Sequence, residues 1–273
     1  MGIRTRTVKT WSSVSLTSSS QTESTETVQP LGDIIGFQFD LTAKAAGTLT
    51  GANTLLAAID TVTITDGSGQ TIFDGTGEDL ARAGLWLSRG GKYVSPSTIT
   101  TSDQTWNAQL NLPIKLSDQN VKVQVSFAPY SDLAASGANG GTVSLTLRAI
   151  YDSLGKDART MRMYKVASSV ASGDNALGSQ LPNVGNVGVM AFTVGTESNI
   201  SNFSLSYDGT VTDISKASTL YVEEWENDIY ISGHQTGLFE LPIKPFSVSP
   251  AKTRFDFSMS GSDTITTYLF SVE

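Results

Sequence analysis

The sequence predicts an all-β chain made of two consecutive eight-stranded antiparallel sandwiches, with short helices between strands. Three observations lead to this prediction. The 273 residues include 25 glycines, are rich in Ser and Thr, and lack long runs of Ala, Leu, Glu and Lys, a composition that favours strands and turns. Apolar residues alternate with polar ones in many short segments, and the order of these segments occurs twice.

Composition also excludes several classes of protein. The net charge of −8 argues against a general nucleic-acid surface, which needs clustered Lys and Arg, so we expect no sequence-specific nucleic-acid partner. The chain has no cysteine, which removes disulfides, thiolate metal sites and Cys nucleophiles. No apolar run approaches the roughly 20 residues of a membrane-spanning helix and no secretory signal is visible, so we expect a soluble protein.

The first half begins with a half-buried strand over residues 34–41, where apolar and polar positions alternate. Residues 57–73 read as a strand, a turn at Asp66-Gly67 and a second strand. Leu80, Ala81, Ala83 and Leu85 then suit a short helix that ends by Gly90-Gly91. Three further strands follow within residues 105–116, 120–130 and 141–151, and we expect a surface loop over residues 130–141 because of its Gly, Ala and Ser content.

The second half repeats this order. Residues 187–194 are predicted to form a strand, residues 200–214 alternate into Asp208-Gly209, and residues 215–227 suit a helix. Leu-Pro-Ile-Lys then occurs at 241–244, as it does at 112–115, and Pro113 and Pro242 should lie at strand starts or edges because proline cannot donate to a ladder. We predict an N-terminal arm at 1–20, a first sandwich at 21–155 and a second at 156–273.

The repeated plan resembles that of the double jelly-roll major capsid proteins of tailless icosahedral viruses with an internal membrane, and it is closest to the corticovirus type. The resemblance rests on "ISNFSLSYDGTVTDI" with "LYVEEW", on "IDTVTITDGSGQTIF" with "EDLARAGLW", and on the paired "LPIK" strands. It covers nearly the whole chain as an architecture.

This resemblance implies a structural protein without enzymatic activity or cofactor. Homotrimers would form pseudo-hexameric capsomers that tile an icosahedral shell, because three chains with two jelly rolls each give six in a ring. The expected partners are further copies, a penton protein, minor capsid proteins and the internal lipid membrane. The expected location is the virion, after assembly in the cytoplasm of a bacterial or archaeal host.

Four carboxylates gather among glycines in the first half, at Asp66, Asp74, Glu78 and Asp79. Oxygen-rich loops of this kind can hold Ca²⁺, although the spacing is not that of an EF-hand. The alternative is that these residues form turns and a helix cap, with Asp79 in the first helical turn where the helix dipole favours a negative charge. We regard turn and cap formation as the main interpretation and calcium as the second.

The N-terminal segment carries Arg4, Arg6 and Lys9, with no acidic residue before Glu23. In an otherwise acidic chain, the resemblance to capsid proteins of viruses with an internal membrane implies that this segment is a membrane-facing arm on the inner side of the shell, where cations near an anionic lipid surface each contribute about 1 kcal/mol. The alternative is a frayed tail whose charge has no partner.

Other candidates favour structural roles. His234 is the single histidine, too few for most metal sites, and no nucleophile elbow accompanies it. Glu223, Glu224 and Glu226 lie on one predicted helix and cannot converge across a cleft as glycosidase carboxylates do. A sugar-stacking platform could instead be made from the tryptophans Trp86, Trp106 and Trp225. It would indicate a two-module carbohydrate- or receptor-binding protein, the alternative function, although we favour packing for these rings.

Overall fold

The computed structural model describes residues 3–23, 25–29, 31–87, 96–115, 120–152, 159–207, 237–241 and 246–273. The chain divides into two compact units, Met1–Thr160 and Met161–Glu273. The division lies five residues beyond the predicted boundary at 155.

The described residues of the first unit form one α-helix and nine strands. In chain order they are β1 (Ile3–Ser15), β2 (Gln21–Thr22), β3 (Glu26–Thr27), β4 (Asp33–Ala52), β5 (Ile59–Thr65), β6 (Thr71–Gly75), α1 (Gly77–Leu87), β7 (Gln104–Leu110), β8 (Lys122–Phe127) and β9 (Ala134–Asp152). Short 3₁₀ helices at Leu55–Ala58 and Tyr130–Leu133 lie before β5 and β9.

Two antiparallel sheets form the first unit. One has the order β1-β9-β4-β7, and the other has the order β2-β8-β5-β6 with β3 also paired to β8. Trp11 of β1 and Phe127 of β8 meet edge to face between the sheets, with ring centroids 6.4 Å apart. Both side chains are buried, as are Val123 and Val125 at alternate positions of β8, so the unit is a sandwich around one apolar core.

The second unit contains eight described strands. They are β10 (Met161–Val170), β11 (Gly173–Ala176), β12 (Val184–Val194), β13 (Ile200–Ser206), β14 (Leu238–Glu240), β15 (Phe246–Val248), β16 (Arg254–Met259) and β17 (Asp263–Val272). The sheets have the orders β10-β17-β12-β14, with β15 also on β12, and β11-β16-β13. Short 3₁₀ helices lie at Gly178–Gln180 and Glu197–Asn199.

A cluster of phenylalanines joins the two sheets of the second unit. Phe192 of β12 stacks on Phe239 at 4.7 Å between ring centroids and meets Phe203 and Phe257 edge to face at 4.9 and 5.2 Å. Phe192, Phe203 and Phe239 are all at most 1% exposed. Edge-to-face and offset contacts of this kind add to the burial of apolar area, so this cluster is the centre of the second core.

The two units share one topology. In each, the first strand lies beside the last, the last lies beside a central strand (β4 or β12), and the central strand lies beside the one that precedes Leu-Pro-Ile-Lys. The resulting orders are β1-β9-β4-β7 and β10-β17-β12-β14. The opposing sheets correspond in the same way, β8-β5 matching β16-β13. The helix predicted over residues 215–227 lies outside the described residues. The all-β double jelly roll is thus confirmed.

The predicted arm at 1–20 is not separate from the first unit. Residues Ile3–Ser15 form β1, which pairs with β9 from Ile3 opposite Asp152 to Ser15 opposite Thr142. The sequence shows no alternation of apolar and polar residues for this strand. Seven of its residues are Thr, Ser or Lys, and Trp11 is its single fully buried side chain. The edge of this sheet next to β9 is therefore formed by the segment that we predicted to lie outside the first sandwich.

The predicted loop over residues 130–141 is also different in the structure. From Ala134 the chain is already in β9, paired with the far half of β4, which runs well beyond residue 41 to Ala52. Gly47 and Gly137 adopt φ values of +108° and +85° at bulges in this pairing. Each backbone passes so close to the other strand that a Cβ at Gly137 would stand 1.8 Å from the carbonyl oxygen of Thr48.

Candidate functional site

Asp66 holds the turn between β5 and β6. Its Oδ1 accepts hydrogen bonds from the backbone N–H and hydroxyl of Ser68, at 2.9 and 2.6 Å, and from the N–H of Gln70 at 2.9 Å. The residue is 5% exposed. An Asp at this position satisfies backbone donors that the tight turn leaves without strand partners, which explains its burial.

Asp79 caps helix α1 together with Thr76. The N–H of Thr76 donates to Asp79 Oδ2 at 2.9 Å, and the N–H of Asp79 donates to Thr76 Oγ1 at 3.2 Å. Arg82, one turn later, lies 3.5 Å from the other carboxylate oxygen. Asp79 is therefore a buried capping residue whose carboxylate has protein partners on both oxygens.

The other two carboxylates have different partners. Thr63 donates its hydroxyl to Asp74 at 3.0 Å across the β5-β6 pair, and Thr54 donates to Glu78 at 2.8 Å. Among the residues that the structure describes, no three His, Cys, Asp or Glu side chains gather as a metal-ligand set. The turn and cap roles of Asp66 and Asp79 are thus visible, and the calcium site stays a prediction.

Strand β1 carries the basic N-terminal residues along one side of the first sandwich. Arg4 pairs with Tyr151 and Arg6 with Ala149, so both arginines share the sheet face of those inward residues. Because β1 is an edge strand, both arginines are nevertheless exposed. Burial raises the pKa of the Tyr151 phenol, and the positive charge of Arg6 opposes that shift.

Lys9 lies on the same sheet face of β1 as Arg4 and Arg6, and its side chain already forms an ion pair. Its ammonium donates to Glu26 Oε1 at 2.8 Å, and Glu26 belongs to β3 in the opposite sheet. This ion pair closes the side of the sandwich between the two sheets. Of the three residues predicted to face a membrane, Arg4 and Arg6 have no ion pair with a described residue, and the membrane contact stays a prediction. Glu26 could not be found from the sequence, since it lies 17 residues from Lys9.

The sugar-stacking platform is not available on the described part of the chain. Trp86 and Trp106 are each 2% exposed, which confirms the packing role favoured from the sequence. Trp225, His234 and the glutamates at 223, 224 and 226 lie outside the described residues, as do Pro242, Gly90-Gly91 and Asp208-Gly209. Pro113 directly precedes Ile114, which forms an isolated β-bridge with Ile34 at the start of β4. This position agrees with the prediction that Pro113 lies at a strand start or edge.

A shallow groove lies on the outer face of β11, β16 and β13. Asp174, Asn202 and Ser258 form one row across the three strands, and Asp256 and Ser204 stand beside it. Ser258 donates its hydroxyl to Asp174 at 2.6 Å. The aromatic residues at the groove point into the core, so the groove offers hydrogen-bonding groups without a stacking surface.

No described helix is long and apolar enough to cross a membrane. No family model matches the chain, and no curated protein matches it. Solved structures do match over the whole chain. The STIV MCP is 12% identical with a TM-score of 0.69, and the alignment covers 100% of this chain and 97% of that one. STIV is Sulfolobus Turreted Icosahedral Virus.

Two further solved structures match the chain with similar sequence identities, TM-scores and coverage. The major capsid protein P2 from Bacteriophage PM2 is 12% identical with a TM-score of 0.60, covering 100% of this chain and 98% of that one. The PBCV-1 virus capsid model is 10% identical with a TM-score of 0.60, covering 99% and 93%. At sequence identities of 10–12%, the structural similarity shows that the chain shares the fold of these proteins. The chain has the double jelly-roll fold found in viral major capsid proteins, as its sequence resemblance implied.

Proposed function

We propose that this protein is the major capsid subunit of an icosahedral virus and that its role is structural. One observation carries the proposal: both units and their order match capsid proteins from end to end, with 97% and 98% of two of those chains covered. A fold can serve unrelated functions, so this inference depends on the agreement of whole chains and not of one sandwich.

The finer proposal is a homotrimer that forms a pseudo-hexameric capsomer. Two units of the same topology within one chain allow three chains to present six similar units around a threefold axis. Such a tile can occupy positions surrounded by six neighbours while its three chains stay related by a threefold axis. Penton and minor capsid proteins would fill the remaining positions, and a lipid layer would lie inside the shell.

The first test is the solution mass of the purified chain by light scattering, with negative-stain images of the same fraction. We expect a mass of three times 28.9 kDa and a six-lobed outline, followed by closed shells or flat sheets as the concentration rises. A chain that stays monomeric at all concentrations and binds a glycan array would contradict the capsid function and favour the binding-module alternative.

The lipid layer needs a separate test on the assembled material. The purified chain is assembled in the presence of vesicles of 30% anionic and 70% neutral lipid, so that the inner face can contact lipid, and the product is floated on a density gradient. We expect flotation that weakens with salt, because attraction to anionic headgroups is screened. Shells that form normally and never float would remove the lipid layer from the proposal and leave the capsid role intact.

A further inference from the structure

The outer edge of β1 is open in its first five residues. Strand β1 occupies the end of the sheet β1-β9-β4-β7, so only one of its two edges is paired with a described strand. The register is regular from Ile3 opposite Asp152 to Thr7 opposite Arg148. All five residues, 3 to 7, are exposed, with Ile3 at 69%. The free backbone N–H and C=O groups of such an edge can pair with another strand.

The rest of β1 is protected from strand addition. Register shifts occur between Thr7 and Lys9 and between Trp11 and Val14, and Ser13 has a φ of +50°. Bulges of this kind twist an edge and interrupt its row of hydrogen-bonding groups, which is a common protection against pairing with other chains. The regular segment Ile3–Thr7 lacks this protection.

Charge determines which strand can pair there. Arg4 and Arg6 are two residues apart, so their Cα atoms lie about 6.6 Å from each other on one face of the strand. The next cation on this face, Lys9, already binds the carboxylate of Glu26 from β3 of the opposite sheet at 2.8 Å. An added strand with acidic residues at alternate positions would place carboxylates opposite Arg4 and Arg6 as cross-strand neighbours, whereas a basic strand would be repelled.

We propose that residues Ile3–Thr7 form a strand-addition site for an extended acidic segment of a partner polypeptide, with Arg4 and Arg6 selecting the carboxylates. A lipid surface is less suitable for the same residues, because headgroups neutralise the arginines but leave the backbone edge without a continuous set of partners. This site is independent of the capsid function, since it requires only the first unit with its open edge.

The test uses a fluorescent eight-residue peptide in which glutamate alternates with threonine, titrated into the full-length protein at low salt and followed by anisotropy. We expect saturable binding with amide-exchange protection confined to residues 3–7. The R4E/R6E variant should bind about tenfold more weakly, since two attractive cross-strand pairs become repulsive. The same variant should now bind the peptide with lysine in place of glutamate.

Two controls separate strand addition from general charge attraction. The K252E/R254E variant makes the same charge change at two exposed residues of the second unit and should bind as the wild type does. A peptide N-methylated at alternate residues keeps its charge but cannot complete the ladder, and it should not bind. Equal binding of the N-methylated peptide, equal loss in both variants, or binding to anionic vesicles without binding to the peptide would each overturn the proposal.

Discussion

Thr76 and Asp79 hold the start of helix α1 by two reciprocal hydrogen bonds, from the Thr76 N–H to Asp79 Oδ2 at 2.9 Å and from the Asp79 N–H to Thr76 Oγ1 at 3.2 Å. This arrangement is a capping box in which Asp takes the place usually filled by Glu. The helix lies between β6 and β7, so its first turn also fixes the crossing from one sheet to the other.

Replacing Asp79 by alanine should lower the free energy of unfolding of the first unit by about 1–2 kcal/mol, because the cap is lost and its donors stay buried. Urea unfolding followed by far-UV circular dichroism measures the change. Asp74→Ala is the matched control, since that carboxylate accepts one hydroxyl at the surface, and it should cost less than about 0.5 kcal/mol. Equal effects of the two substitutions would contradict the capping role.

Asp263 makes the second unit sensitive to acid. Burial raises the pKa of its carboxyl, but hydrogen bonds from the N–H groups of Thr264, Thr196 and Gly195 and from Asn199 outweigh that effect, so the pKa lies below its usual 3.8. The charged form is therefore favoured by folding. Its contribution to stability is fully present above about pH 4 and is lost as the pH falls through the lowered value.

Asp263→Asn should accordingly lower the stability of the second unit by about 1–2 kcal/mol at pH 7, and the difference from the wild type should shrink below about pH 4. Thermal unfolding between pH 2.5 and 7 measures this. Asp174→Asn serves as control, because Asp174 accepts a single surface hydrogen bond from Ser258. A difference for Asp263→Asn that grows as the pH falls would show the opposite sign of linkage.

Phe192 is the central ring of the second core, and Phe192→Ala should lower the free energy of unfolding of that unit by about 3–5 kcal/mol. The cost combines lost apolar burial with the cavity left among rings that cannot all move. Phe192→Leu should cost clearly less because it fills part of the space. Denaturant unfolding with near-UV circular dichroism reports both, and equal costs would mean that the neighbouring rings close the cavity.

Gly137→Ala should destabilise the first unit by more than about 1 kcal/mol, because φ is +85° and the new methyl group would collide with the carbonyl of Thr48. Gly140→Ala, three residues along the same strand, is a suitable control. Its methyl group would meet only the Cβ of Ala46, at an ordinary 3.7 Å. Differential scanning calorimetry should show a lower Tm for the first variant and little change for the second.

The local pattern of the chain predicted many of the elements correctly. Alternation in residues 59–65 and 122–127 defines β5 and β8, since burial of one sheet face imposes a period of two on any half-buried strand. The helix was predicted at α1, where Leu80, Ala81 and Ala83 are buried. The turn role of Asp66 and the capping position of Asp79 could also be predicted from the sequence, because each depends on hydrogen-bond partners within four residues along the chain.

The sequence by itself determined the strand alternation, the helix, its cap and the repetition of one plan, because each depends on local spacing or on order along the chain. Only the tertiary structure decided that residues 3–15 are a strand of the first unit, that Lys9 meets Glu26, and that β4 and β9 continue through segments rich in Ala and Gly. These features depend on which distant edge is free to pair, and polar, small residues have no periodicity that reveals a partner more than 80 positions away.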